Sequence, residues 1–463
     1  MTRGAAWMTG ILAVAIAARV PFLADGLWYD EIAAFLGYSV AGPWHAASTY
    51  FSTANHVLHS VLVAVSAGAL GVDELSLRLP SFLAGLGAVA AVGWLGREAG
   101  GAALGRWAAA AAALMPIAVL PSTESRGYAM MALFAALSTA AFLRARRVGG
   151  AWWIGYALAC ALGAWSHLVA LCVPAFHGAW CAVVAVRTRD RDARRRALAG
   201  MGAAALGAAL AAAFLAPVIP GIVALRDDFR ALDGNEPTLL GPEGAAMLWS
   251  AGGTWWMLPS LAALPLVAAG SAHARRDHAL CTALCLSLGG ALVALAFPLL
   301  LGSWLYARFL AFTVPGIALL LGAGAQALFL RQRTAGIAAC ALAAGAWIVT
   351  LATIGPRQPL REAVELVASR LQPGERAIAI GLPDDVHRWY AVAAGIDMPG
   401  TGPYGRDAAA ATGDPSVRWA VFLYPRAMPE VLQLLESRGW QEEARLPGWI
   451  DWGAGEVRVL RRR

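Results

Sequence analysis

Apolar runs of nearly twenty residues alternate with short arginine-bearing stretches along the first three quarters of the chain. Runs of this length match the number of helical residues that cross the hydrocarbon core of a bilayer. The pattern predicts a polytopic α-helical membrane protein of about eleven spans. The predicted spans are residues 6–23, 79–96, 104–121, 128–144, 151–169, 171–186, 197–216, 247–269, 279–301, 308–330 and 335–354.

One further apolar run, residues 55–72, is short and carries His56, His59 and Ser60. If it crossed the membrane, the arginines of 144–147 and 187–196 would face outward, against the positive-inside rule. We therefore predict that it lies against the outer face of the membrane. The N-terminus is then inside, and the segments 24–78 and 217–246 are outer loops of a transmembrane catalytic domain, residues 1–355.

The last hundred residues change character, because charge returns and prolines punctuate the chain. Helical and strand patterns alternate there, which is typical of a small α/β domain. We predict a soluble extracytoplasmic domain over residues 356–463. Its predicted elements are helices at 360–371 and 428–438 and strands at 377–380, 419–423 and 456–460.

Composition supports a multi-pass membrane protein, and we expect it to lie in the cell inner (plasma) membrane. The chain is 59% hydrophobic and 14% charged, about half the charge of a soluble domain. All 36 basic residues are arginines, clustered between apolar runs and not interleaved with aromatics, so a nucleic-acid partner is not expected despite the net charge of +7. The six cysteines fall inside apolar runs and are interpreted as small buried side chains.

An acidic pair, Asp30-Glu31, follows Trp28-Tyr29 just beyond the first apolar run. It is either a solvated turn or a catalytic pair, since carboxylates at the edge of a bilayer are costly to keep. Adjacent residues on a helix point about 100° apart, so both cannot face one substrate. We assign Asp30 as the general base and Glu31 as a residue that orients the site or contacts the acceptor.

Three arginines, Arg78, Arg126 and Arg308, lie at the outer mouths of predicted spans, where the positive-inside rule disfavours them. They either reach up to lipid headgroups or bind an anion, because a guanidinium matches phosphate in a bidentate way. A base opposite such arginines is suited to moving a sugar from a lipid phosphate to a hydroxyl.

Further candidates for substrate contact lie in the same outer segments. Glu124 is either a second acidic contact or an ion-pair partner of Arg126, and Arg226 is expected to act on substrate entry. His45, His56 and His59 share the first outer loop without a metal-ligand spacing. A lipid-phosphate donor has no nucleotide diphosphate to neutralise, so we expect that no cofactor is required and that a divalent metal is possible but not indicated.

In order along the chain stand the acidic pair, Asn55-His56-Val57-Leu58, Arg78-Leu79-Pro80-Ser81, Arg126-Gly127-Tyr128 and Arg308-Phe309. This series resembles the GT-C membrane glycosyltransferases, in particular the protein O-mannosyltransferase and lipid A aminoarabinose transferase group. Many members read His-Pro-Pro-Leu where this chain reads Asn55-His56-Val57-Leu58.

The resemblance implies a GT-C-like fold and an inverting, mannosyltransferase-like enzyme. Its donor would be a polyprenyl-phosphate sugar and its acceptor a lipid, glycan or protein, with membrane lipids as further partners. It also implies that Asp30 is the base, that Arg126 and Arg308 hold the donor phosphate, and that His56 and Tyr128 lie in the substrate site.

Three other functions remain open from the sequence. A lipid or glycan transporter or flippase would use the acidic pair as a proton site, although such charges usually lie near the middle of the bilayer. A ligase or polymerase of diphosphate-linked glycans would favour Arg and His in a late loop, and residues 217–246 contain no His. A non-catalytic scaffold would explain neither the acidic pair nor the arginines.

Overall fold

The computed structural model of the protein describes residues 3–52, 54–225, 261–301, 306–381, 385–403, 405–425, 428–449 and 455–463. These residues form two compact units. The first comprises residues 3–23, 38–225 and 261–352, and the second comprises residues 24–37 and 353–463. The segment with the acidic pair therefore belongs to the same unit as the tail.

The described helices follow one another along both units. In chain order they are α1 Arg3–Ala17, α2 Tyr29–Ala34, α3 Pro43–Ser48, α4 Val57–Leu70, α5 Glu74–Leu114, α6 Pro116–Val119, α7 Tyr128–Val148, α8 Trp152–Ser166, α9 Cys172–Arg187, α10 Arg191–Leu215, α11 Ile219–Ala224, α12 Leu264–Ala274, α13 His278–Leu288, α14 Gly290–Leu301, α15 Val314–Arg331, α16 Arg333–Thr353, α17 Leu360–Arg370, α18 Asp385–Ala393, α19 Ala408–Ala411 and α20 Pro429–Ser437.

Seven helical stretches among the described residues are long and apolar enough to cross a membrane. They are Glu74–Leu114, Tyr128–Val148, Leu168–Arg187, Arg191–Ala224, His278–Ala296, Arg308–Arg331 and Arg333–Thr353, and shorter apolar helices cover Ala6–Phe22 and Val57–Leu70. The predicted class, a polytopic helical membrane protein, is confirmed. The number of eleven spans stays a prediction, and most of the predicted span 247–269 lies outside the described residues.

Helix α5 covers the predicted span 79–96 and the larger part of the span 104–121, because its backbone reverses at Gly100 and Gly101. Gly101 has φ +88°, a conformation that residues with a Cβ rarely adopt. After the reversal the two arms touch: a Cβ on Gly105 would lie 2.4 Å from the carbonyl oxygen of Gly93. Such backbone contact through glycine is typical of helix packing in membranes.

The run predicted to lie against the membrane forms helix α4, which has 14 residues. At 1.5 Å per residue it is about 21 Å long, shorter than the hydrocarbon core of about 30 Å. Gly71, with φ +92°, ends the helix, and Asp73 caps α5 by accepting a hydrogen bond from the Ser76 amide at 2.6 Å. The position of α4 relative to a bilayer stays a prediction.

The second unit carries a five-stranded sheet of order β2-β1-β3-β5-β4. The strands are β1 Arg376–Gly381, β2 Gly400–Pro403, β3 Val417–Leu423, β4 Trp440–Leu446 and β5 Val457–Arg462. Strand β1 pairs in parallel with β2 and β3, whereas β5 pairs antiparallel with β3 and β4. The small C-terminal α/β domain is thus confirmed, and the elements that the sequence patterns did not predict are α18, α19, β2 and β4.

Arginine placement predicts an inside loop at 187–196 and an outside tail. With the six native cysteines replaced, single cysteines at Asp192, in the loop, and at Gln433, in the tail, would test this topology. We expect an impermeant thiol reagent added to intact cells to label Gln433→Cys and to spare Asp192→Cys until the cells are opened. The reverse pattern would contradict the predicted topology.

Candidate active site

The acidic pair lies in the first turn of α2, where its two carboxylates have different surroundings. Glu31 is fully buried, and its Oε2 accepts a hydrogen bond at 3.1 Å from the amide of Trp28, the residue that precedes the helix. A side chain at this helix position commonly satisfies a backbone donor that the helix leaves without a partner. Asp30 is half-buried and keeps access to solvent. Of the two carboxylates, Asp30 is therefore the more exposed to solvent.

The tail holds the backbone on both sides of this turn. The Leu27 amide donates to the Tyr390 hydroxyl at 2.6 Å, and the Tyr29 amide donates to Oε1 of Gln358 at 3.0 Å. Arg361 donates to the carbonyl oxygen of Ala24 at 3.1 Å. Each bond crosses more than 300 positions of sequence. The local fold of the acidic segment is thus set by the tail.

Aromatic contacts with the tail add to these hydrogen bonds. The Arg357 guanidinium lies over the ring of Trp28 at 4.7 Å and over that of Trp449 at 4.3 Å, a pair of cation–π contacts. Tyr29 packs edge-on against Tyr424, with ring centroids 5.9 Å apart. Because Trp28 and Tyr29 directly precede Asp30, these contacts restrict the direction in which the Asp30 side chain projects from the backbone.

In the first unit, the hydrophilic segment that precedes α7 is buried throughout, from Ser122 to Arg126. Its hydrogen bonds go to neighbouring elements: the Ser125 hydroxyl donates to the carbonyl oxygen of Leu77, and that of Ser81 donates to the carbonyl oxygen of Arg126, both at 2.8 Å. Buried polar groups require such partners. The segment is therefore a fixed part of the helical unit.

His56 joins this segment to the start of α4. Its Nδ1 accepts a hydrogen bond from the Gly127 amide at 2.8 Å, which makes Nε2 the nitrogen that carries the proton. A Cβ on Gly127 would lie 2.6 Å from that Nδ1, so only glycine allows the approach. Burial, and after it the charge of Arg126, hold the pKa of His56 well below its ordinary value. The ring is neutral at physiological pH.

A group of aromatic rings connects the segment that carries Arg126 to the segment that carries Arg308. Arg126 donates to the carbonyl oxygen of Ala54 at 2.6 Å, and its guanidinium lies 6.0 Å from the ring of Tyr128. Tyr128 stacks on Phe309, with centroids 6.5 Å apart, and Arg308 lies over the ring of Tyr306 at 4.5 Å. Both arginines are close enough to lower the pKa of His56. Two motifs far apart in sequence are thus brought together.

Arg78 is also buried, and it reaches the end of the first helical segment. Its Nη1 donates to the carbonyl oxygens of Phe22 and Leu23 at 3.0 and 3.3 Å. Arg19 is buried in the same way and donates to Ser122 and to the carbonyls of Ala15 and Ala113. These contacts give both arginines a role in helix packing, and a phosphate-binding role of Arg78 stays a prediction.

The remaining candidates add less to the site. Glu124 is buried beside Arg126 in the same segment, and Arg226 lies outside the described residues. Across the described part of the chain, no three His, Cys, Asp or Glu side chains are grouped so that they could hold a metal ion. Sequence reasoning missed Tyr390, Gln358 and Arg357, for which no local signal exists. It also missed Ser81, which stands within the Arg78-Leu79-Pro80-Ser81 motif.

The chain is similar to several proteins of known structure. It is similar to the crystal structure of ArnT from Cupriavidus metallidurans in the apo state, with 15% identity, a TM-score of 0.62 and 98% of each chain covered. It is also similar to that ArnT bound to undecaprenyl phosphate, with 13% identity, a TM-score of 0.57, and 98% of this chain and 97% of that chain covered.

A third similar structure is the archaeal oligosaccharyltransferase AglB from Archaeoglobus fulgidus in complex with an inhibitory peptide and a dolichol-phosphate. It shares 12% identity and a TM-score of 0.54, with 94% of this chain and 71% of that chain covered. No protein-family model and no curated protein matches the chain. At these identities the likeness establishes the fold alone, and the GT-C-like fold that the sequence resemblance predicted is thereby confirmed.

The tail contacts of the acidic turn can be tested one at a time by amide hydrogen exchange. Tyr390→Phe removes only the hydroxyl that the Leu27 amide uses, and we expect exchange at Leu27 to accelerate about tenfold, because a buried donor without a partner costs about 1–3 kcal/mol. Gln358→Leu should act in the same way on the Tyr29 amide. Each variant is the control for the other. Unchanged exchange at Leu27 in Tyr390→Phe and at Tyr29 in Gln358→Leu would contradict the claim that the tail fixes the acidic turn.

Proposed function

We propose that the protein is an inverting membrane glycosyltransferase that moves a single sugar, with mannose the first to test, from a polyprenyl phosphate to a hydroxyl acceptor at the outer face of the membrane. The observation that carries the proposal is that a chain with the GT-C fold presents Asp30 at a turn where the neighbouring Glu31 is buried in the helix cap. The ArnT and AglB structures that contain polyprenyl-type phosphates favour the same class of donor.

Asp30 acts on the attacking hydroxyl, and the arginines act on the departing phosphate. The Asp30 carboxylate takes the proton of the acceptor hydroxyl as its oxygen attacks the anomeric carbon of the sugar. The bond from that carbon to the phosphate oxygen breaks, and its electron pair stays on the phosphate. The new bond forms on the face opposite the departing phosphate, so the configuration inverts.

The departing polyprenyl phosphate gains negative charge, and Arg126 and Arg308 are the proposed partners of that charge. A guanidinium offers two parallel N–H donors to a phosphate, and its effect is greatest in a buried site. Arg126 is only 3% exposed, and the rings of Tyr128 and Phe309 lie between the two arginine-bearing segments. Polyprenyl phosphate is thus both the substrate carrier and the leaving group.

The role of Asp30 as base predicts unequal effects within the acidic pair. Asp30→Asn keeps the shape of the side chain but removes the proton acceptor, so we expect the transfer rate to fall by about 10²- to 10⁴-fold while donor binding changes little. Glu31→Gln keeps an oxygen that can accept from the Trp28 amide, and its effect should be much smaller. Transfer rate and donor affinity of the purified protein measure both. Near-normal turnover of Asp30→Asn would rule out this assignment.

The phosphate role predicts a graded response at Arg126 and Arg308. A Lys variant keeps the charge but loses the bidentate geometry of the guanidinium, and an Ala variant loses both. Transition-state stabilisation should therefore fall less for Lys than for Ala, for which we expect a loss on the order of 2–4 kcal/mol. Arg333 is a matched control, because its guanidinium stacks on Phe329 much as Arg308 stacks on Tyr306. Arg333→Ala should leave the rate unchanged. If Arg126→Ala and Arg308→Ala transferred sugar as fast as the control Arg333→Ala, the phosphate would have to bind elsewhere.

An assay of the protein in liposomes distinguishes the proposed enzyme from a transporter that uses the acidic pair as a proton site. A transporter moves the lipid across liposomes with the sugar–phosphate bond intact, whereas the proposed enzyme cleaves that bond. Lipid movement without release of sugar would favour the transporter.

A further inference from the structure

Helices α7 to α10 meet at an end of the helical unit that is rich in arginine. Short turns join α7 to α8 at residues 149–151 and α9 to α10 at residues 188–190. Residues 144–147 contain three arginines, and residues 187–196 contain six arginines and two aspartates. We call the arginine-bearing ends of these four helices the arginine corner.

Aromatic rings hold the four helices together next to this corner. Phe142 of α7 packs against Trp153 of α8 and Trp180 of α9, with ring centroids 5.6 and 6.2 Å apart. Gly200 of α10 packs on the same group, since a Cβ there would lie 3.3 Å from the rings of Phe142 and Trp153. The charged residues one turn further along α7 and one turn earlier in α10 are thereby brought close to one another.

The three arginines of α7 differ in their partners. Arg144 and Arg147 form ion pairs with Glu98. Arg146 is half-buried and has no acidic partner among the described residues, and its guanidinium lies over the ring of Trp180 at 4.4 Å. A cation–π contact offsets the loss of hydration of such a charge only in part. Arg146 is therefore a partly desolvated cation that lacks a counter-anion in the described part of the chain.

Arg196 of α10 adds a second positive charge at the same place. It is exposed, it is close enough to repel the Arg146 guanidinium, and it forms no ion pair with a described residue. Asp190 does not neutralise the pair but caps α10, where it accepts a hydrogen bond from the Asp192 amide at 2.9 Å. An anion bound to both guanidinium groups would replace their repulsion with attraction.

The surface beside these charges is apolar and exposed. Val183 and Val186 in the last turns of α9 are 51% and 85% exposed, and Leu198 in α10 is 51% exposed. Both helices belong to stretches that are long and apolar enough to cross a membrane, so we expect their arginine-bearing ends at the level of the lipid headgroups. A soluble anion or an acidic protein would leave this apolar surface uncovered, whereas a phospholipid has a part for each surface.

We propose that the arginine corner binds an anionic phospholipid, whose phosphate pairs with Arg146 and Arg196 and whose acyl chains cover the adjoining apolar side chains. Guanidinium groups suit this ligand because they match phosphate in a bidentate way. The bound lipid would link α7 to α10 and so stabilise the four-helix arrangement. This site is separate from the proposed catalytic reaction and does not depend on it.

The test follows the melting temperature of the purified protein in detergent as phosphatidylglycerol or phosphatidylcholine is added. Phosphatidylglycerol, whose headgroup has a net negative charge, should raise the melting temperature of the wild type, and phosphatidylcholine should not. Arg146→Gln and Arg196→Gln should each weaken the apparent affinity for phosphatidylglycerol about fivefold, the effect typical of one basic residue at a lipid headgroup.

Two comparisons separate lipid binding from a structural effect. Without anionic lipid, Arg196→Gln should be as stable as the wild type or more stable, because the repulsion of Arg146 is removed; with phosphatidylglycerol it should be the less stable of the two. Arg276→Gln is a matched control, since Arg276 is an exposed arginine in the turn between α12 and α13. It should respond to phosphatidylglycerol as the wild type does.

Four results would overturn the inference. They are equal stabilisation by phosphatidylcholine, a full response in both Arg146→Gln and Arg196→Gln, an equal loss of response in Arg276→Gln, and the same stabilisation by inorganic phosphate alone. The third result would mean that only the net charge of the protein matters. The fourth would mean that the corner binds a free anion and not a lipid.

Discussion

The hydrogen bond from the Gly127 amide to Nδ1 of His56 is the contact on which the arginine-bearing site depends. It fixes the proton of His56 on Nε2, and its geometry allows only glycine at position 127. The same bond joins the start of α4 to the buried segment before α7. Arg126, one residue earlier, reinforces the junction by donating to the carbonyl oxygen of Ala54. A buried cation is thereby held beside neutral rings, as the proposed binding of a lipid phosphate requires.

The acidic turn depends on a different set of contacts, all supplied by the tail. Hydrogen bonds to Tyr390 and Gln358 fix the backbone around Trp28, and Arg357 lies between two indole rings. Glu31 is used to complete the turn, which leaves Asp30 as the accessible carboxylate. The proposed function thus gives the adjacent acids separate tasks, a structural one for Glu31 and a catalytic one for Asp30. The tail is the element that holds the acidic turn, and the two belong to the same compact unit.

The parts of this arrangement that sequence could predict are those with a local signal. Hydrophobic length revealed the membrane helices, and alternating patterns revealed α17, α20, β1, β3 and β5. Strand β4 was missed because Trp440–Leu446 is mostly polar and exposed, and β2 because Gly400–Pro403 is short and glycine-rich. Asp30 and Arg126 were singled out because charge is unexpected where they stand. Their supporting contacts join residues as far as 363 positions apart, as between Leu27 and Tyr390, and no local pattern records such pairs.

The most direct measurement of the central claim follows the bond that breaks. Purified protein is supplied with a polyprenyl-phosphate sugar and an acceptor extract, and the released polyprenyl phosphate is quantified together with the anomeric configuration of the product. We predict that one polyprenyl phosphate is released per sugar transferred and that the configuration of the product is inverted relative to the donor. Retained configuration, or transfer from the sugar-bearing lipid without release of polyprenyl phosphate, would contradict it.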